Sequence, residues 1–132
     1  MLLPSANRVM RITGWILAFS LIWLPHRMVG QALPDNLFQR WVHSSEEDTE
    51  ETQVFRPLSY EFPPSRGREG FDIRKDGSFT LLGPGRSDRG TAIAGHWVRS
   101  RDGIIVVTFE ESYLNRKIRI IEVKPQILRI KR

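Results

Sequence analysis

Past Ala32 the apolar residues recur at every second position, in short runs closed by glycine, proline or Asp-Gly. No stretch there sustains the 3.6-residue period of an amphipathic helix, whereas a period of two marks strands with one buried face. The clearest runs are Phe71–Lys75, Ser78–Leu82, Gly95–Ser100, Ile104–Glu110, Lys117–Val123 and Ile127–Lys131. Weaker ones lie at Leu37–His43, Gln53–Arg56 and Leu58–Phe62. About eight strands packed into roughly 100 residues is the density of a small antiparallel barrel or sandwich.

Two Asp-Gly pairs fix register. A two-residue loop at Asp76-Gly77 splits the apolar set, because Phe71 and Ile73 then face away from Phe79 and Leu81. A three-residue loop, Lys75-Asp76-Gly77, pairs Ile73 with Phe79 and Phe71 with Leu81 and gathers all four on one face. Gly77 then takes the left-handed position of a bulge. Arg101-Asp102-Gly103 repeats the pattern, pairing Trp97 with Val107 and collecting Trp97, Ile105, Val107 and Phe109. Near the C-terminus, Ile118 and Ile120 alternate with Lys117 and Arg119, and Leu128 and Ile130 with Arg129 and Lys131. Ile120-Ile121 breaks the alternation and predicts a bulge there.

The first 32 residues follow a different rule. A basic start (Arg8, Arg11) precedes the apolar run Ile12–Leu24, and a polar stretch with Gly30 and Ala32 follows. That is the order of a secretory signal, and the run of 13 residues fits the usual core of about 7–15. It is shorter than the roughly 20 residues a helix needs to span a bilayer. Residues 1–32 therefore read as a signal peptide, with an uncleaved membrane anchor over 12–24 as the alternative, and residues 33–132 as one domain. Export to the periplasm or the extracellular space follows.

Charge changes this picture little. Of 20 basic side chains, three lie in residues 1–32 beside no acid, which leaves 17 basic and 15 acidic in the domain. The basic balance is thus largely a property of the leader and points to no nucleic-acid partner. Cysteine is absent, which excludes disulfides, a thiolate metal site, a cysteine nucleophile and lipid attachment at a lipobox.

The domain resembles the small lipocalin-like barrels of the calycin type. The resemblance rests on Phe71–Leu82 with its Asp-Gly turn, on Gly95-His96-Trp97, on Ile104–Phe109 and on the final pair Lys117–Val123 and Ile127–Lys131. The opening strand of such domains usually carries Gly-x-Trp as well; here Gln39 stands two residues before Trp41. The resemblance implies an all-β, antiparallel up-and-down barrel of about eight strands, and it is poor evidence for any particular ligand. Trp41 through Arg68 also resembles a family of small exported bacterial domains, from which no activity carries over.

Candidate chemistry concentrates in Trp41–Arg68. Glu46, Glu47, Asp48, Glu50 and Glu51 crowd into six residues, and Arg56, Arg66 and Arg68 follow. Three readings compete: a solvated acidic loop held by surface ion pairs, a polar rim at a barrel mouth, or a calcium loop. The polar rim comprises His43, Glu46, Glu47 and Asp48 opposed to Arg56, Arg66 and Arg68. The spacing lacks the Asp-x-Asp-x-Asp-Gly order of a dedicated calcium loop. Ser65-Arg66-Gly67-Arg68 is a weak candidate for an anion clamp, and Gly83–Gly90 reads as a basic connector. His96 alternates with Trp97 and should face outward, which leaves too few histidines for zinc. No motif for a nucleophile, a metalloenzyme or a cofactor occurs. Trp41, Phe71, Phe79, Trp97, Val107 and Phe109 either line a ligand cavity or fill the barrel. The expected function is binding of a small apolar or amphipathic ligand, without a cofactor. The alternative is a cell-envelope interaction protein with no such ligand.

Overall fold

Nine strands form among the described residues, 32–83 and 91–132 of a computed structural model. They are β1 (Arg40–His43), β2 (Thr52–Pro57), β3 (Gly70–Ile73), β4 (Ser78–Leu82), β5 (Ala92–Arg99), β6 (Ile105–Phe109), β7 (Arg116–Ile118), β8 (Ile120–Lys124) and β9 (Ile127–Lys131). Single 3-10 turns at Asp35–Leu37, Ser45–Glu47 and Ser112–Leu114 complete the regular structure. The expected signal segment, up to residue 31, lies outside the described residues, as do positions 84–90 of the basic connector. Among the described residues no helix is long and apolar enough to cross a membrane.

All nine strands pair antiparallel in one sheet, ordered β7-β6-β5-β4-β3-β1-β2-β9-β8. The two edge strands, β7 and β8, are consecutive in the chain with only Arg119 between them. Residues 116–124 thus pair first with β6 and then with β9, and the Lys131 amide donates to the Arg119 carbonyl at 2.9 Å. This change of partner brings the sheet nearly to closure as a barrel. It coincides with a register shift between Ile120 and Glu122, at the predicted break in alternation, and leaves Ile121 exposed.

Both Asp-Gly hairpins have three-residue loops. Ile73 pairs with Phe79, Phe71 with Leu81 and Trp97 with Val107. Gly77 and Gly103 adopt φ of 91° and 79°, the left-handed conformation that closes such loops without a β-carbon clash. Asp76 and Asp102 brace the turns through Ser78 and Ser100.

Two expectations need correction. Leu58–Phe62 is no strand: the Tyr60 amide bonds back to the Pro57 carbonyl at 3.0 Å, and Pro63-Pro64 removes further ladder donors. The strand expected over Leu37–His43 begins only at Arg40, after the 3-10 turn. As a result the chain is not up-and-down throughout. It meanders from β3 to β7, but β1 sits between β2 and β3. Residues 58–69, too long and too proline-rich for a hairpin, carry the chain past β1 to reach β3.

The inner faces hold Leu37, Trp41, Phe55, Phe71, Ile73, Phe79, Ile105, Val107, Phe109, Ile118, Leu128 and Ile130. Trp41 is fully buried and donates its indole N–H to the Leu37 carbonyl at 2.8 Å. That bond ties the Asp35–Leu37 turn across one end of the barrel and satisfies a polar atom that burial would otherwise penalise.

Candidate functional site

Five inner rows of the barrel change character toward the end opposite Leu37. On β1 the inward residue after Trp41 is His43, and on β2 the inward series Pro57, Phe55 gives way to Gln53. Before β3, Glu69 continues the row of Ile73 and Phe71, and on β7 Arg116 continues that of Ile118. On β9 the row of Leu128 and Ile130 ends in Arg132. Alternation fixes these facings, and all five polar residues line one cavity of about 400 Å³. Its apolar wall is Phe55, Phe71, Phe79, Leu81, Ile118 and Ile130, and the Tyr113–Lys117 stretch and Lys131 close the rim.

The wall is a run of aromatic contacts. His43 stacks on Phe55 at 5.1 Å, Phe55 meets Phe71 at 5.2 Å, Phe71 stacks on Phe79 at 5.0 Å, and Phe79 meets Phe109 edge-on at 6.0 Å. Gly95, inward on β5, leaves the space that the Phe109 ring occupies. Rings fixed by their neighbours leave the void open instead of collapsing into it.

The candidate lining residues therefore divide. Phe71 and Phe79 line the cavity. Trp41 and Val107 are fully buried in the packed part of the barrel, and Phe109 sits behind the wall. Trp97 lies at a separate open recess of about 390 Å³ with Leu33, Phe38 and Lys75, its indole N–H donating to the Arg74 carbonyl at 2.7 Å.

The charged candidates divide too. Arg56 makes two bonds to Glu47, at 2.8 and 2.5 Å, and its guanidinium lies 4.7 Å from the Tyr60 ring centre. Arg68 repeats the arrangement with Glu46, at 2.8 and 2.5 Å, and with Phe62 at 4.8 Å. It also donates to the Pro63 and His43 carbonyls. These two clamps fasten the 58–69 crossing to the Ser45–Glu47 turn, outside the barrel. Pairing with Arg68 holds the Glu46 carboxyl at about 2, and pairing with Arg56 holds Glu47 below its ordinary value. Both guanidinium groups are raised in turn by their carboxylate partners. Arg66 is exposed and pairs with no acid among the described residues. Since Arg68 is engaged with Glu46, residues 65–68 form no two-arginine clamp.

Of the predicted rim residues, His43 lines the cavity, and Asp48 stands behind it as its side-chain partner. His43 Nε2 lies 2.8 Å from Asp48 Oδ2, and Arg132 approaches the same oxygen at 3.3 Å. Asp48 Oδ1 accepts from the Val54 amide at 2.9 Å, so its position is fixed by the sheet. Among the described residues no group of three or more acids and histidines is arranged to hold a metal ion. The sequence reading missed Arg116, Arg132, Gln53 and Glu69. Their signal was present, since each continues an apolar alternation by one more inward step. No family model, curated protein or solved structure matches the chain.

Proposed function

We propose that the chain is an exported, lipocalin-like barrel that binds a small, partly apolar molecule within its open end and performs no chemistry on it. The observation that carries this reading is the cavity of about 400 Å³, floored by phenylalanines and opening through a polar rim. Small-molecule sites have volumes of roughly 300–1,000 Å³, a mainly apolar lining and a few convergent polar groups. A barrel serving only as a scaffold gains by filling such a void, because unfilled volume forfeits packing energy. The charged clamps on the outer face, by contrast, are engaged internally and offer little to a partner. Residues 1–32 serve export, and residues 12–24 are the membrane contact where they are retained.

One observation favours a second, catalytic reading: His43, Asp48 and Arg132 meet at the rim, and a carboxylate-oriented imidazole is a general-base arrangement. Ser44 is no nucleophile for it, being buried and on the opposite face of the strand from His43. Binding remains the better-supported reading.

Native mass spectrometry of protein purified from its own host tests the proposal. The expected result is a co-purifying small mass that is lost in Leu81→Trp, which fills the cavity. Apo protein alone, together with a flat metabolite thermal-shift screen, defeats it.

A further inference from the structure

The polar groups around the cavity mouth are unequal in sign. Arg116, Lys117, Lys131 and Arg132 line it against the single carboxylate of Glu69. Arg132 is already partnered by Asp48 at 3.3 Å, whereas Arg116, Lys117 and Lys131 have no carboxylate within ion-pairing distance among the described residues. Alternation turns Lys117 and Lys131 away from the interior, so Arg116 is the unpaired cation on the inward face. It is exposed at the rim, and two contacts orient it. Nε donates to the Leu114 carbonyl at 3.2 Å, and the guanidinium lies 5.7 Å from the centre of the Phe109 ring. Both Nη groups are left without a protein acceptor among the described residues.

A guanidinium held by its Nε edge beside an apolar chamber has the geometry for a planar, two-oxygen anion. We infer that the cavity takes an anionic amphiphile, its apolar chain against Phe71 and Phe79 and its carboxylate head on Arg116. Lys117 and Lys131 add long-range attraction at the mouth. This inference rests on the binding reading above and names the ligand class for that cavity.

Decanoate, decanol and decyltrimethylammonium share one chain and differ in head charge. They are titrated into the delipidated full-length protein by calorimetry. A charge-assisted contact predicts decanoate binding about 10- to 100-fold tighter than decanol, with decyltrimethylammonium weakest. Arg116→Gln should remove most of that preference by weakening decanoate far more than decanol, and Arg116→Lys should restore part of it. Should Arg116→Gln lose its folded circular dichroism, the wild type supplies a second measurement. Added salt should weaken decanoate and leave decanol unaffected. Equal affinity for all three, a preference for the cation, or a salt-insensitive decanoate overturns the inference while cavity binding stands. Failure of all three probes to bind overturns the binding reading and this inference with it.

Discussion

A β-carbon on Gly95 would lie 2.7 Å from two ring carbons of Phe109 and 2.7 Å from the Thr108 carbonyl oxygen. The ring is wedged against Phe79 and the carbonyl belongs to the ladder, so neither yields easily. Gly95→Ala should therefore cost about 1–3 kcal/mol by overpacking, read as a lower urea midpoint with unchanged slope. Glu46 presents a different residue-scale effect. Its carboxyl sits at about 2 when folded, held chiefly by Arg68, against an ordinary 4.5. The pairing thus stabilises the fold fully above about pH 4.5 and is lost as pH falls toward 2. Glu46→Gln should flatten the stability profile between those values, measured by urea unfolding across the acid range. At this scale the sequence supplied residue types and left partners open. Glu46 and Arg68 are 22 positions apart, and no local rule pairs one acid of a crowded run with one of three arginines.

Among the elements, the 58–69 crossing depends most on side chains. Arg68 joins Glu46, Pro63, Phe62 and the His43 carbonyl, so Arg68→Ala removes four contacts from one segment. The His43 amide, which donates to the Glu69 carbonyl at 2.8 Å, should then exchange hydrogen faster. Amides of the β3–β4 hairpin should keep their protection, and exchange mass spectrometry resolves the two. The contrast follows from how each was specified. The two Asp-Gly hairpins were legible residue by residue, because only a three-residue loop keeps all the apolar side chains on one face. Residues 58–62 misled because Leu58, Tyr60 and Phe62 alternate as a strand does. Tyr60 and Phe62 instead cover guanidinium groups on the outer surface, an amphipathic role that alternation does not distinguish.

For the whole molecule, the consequence of near-closure is a chamber with one sealed and one open end. Trp41 and the Asp35–Leu37 turn seal the first, and five inner rows pass from apolar to polar at the second. Leu81→Trp, which places a larger ring in the void, should leave melting temperature unchanged or raised while abolishing decanoate binding. Thermal unfolding and calorimetry on one preparation check both halves. Loss of binding with loss of fold would instead mark Leu81 as part of the sealed core. The expected outward face of His96 and the bulge near Ile120 both hold. The predicted rim does not assemble as a unit, since Arg56 and Arg68 turn to the outer surface and Arg66 stands apart.

The alternating pattern and the glycine turns, taken from the chain alone, determined that strands form, which residues face inward and how neighbouring hairpins register. These are short-range matters, settled by a period of two and by loops of three residues. Which distant edges meet was decided only in three dimensions. β1 inserts between β2 and β3 because a long connection permits several pairings of nearly equal local merit. Residues 116–124 divide between β6 and β9 because pairing at both edges closes the sheet over Ile118 and Ile120. The cavity and its arginine follow from that closure: a void is a relation among many strands, and no single one of them encodes it.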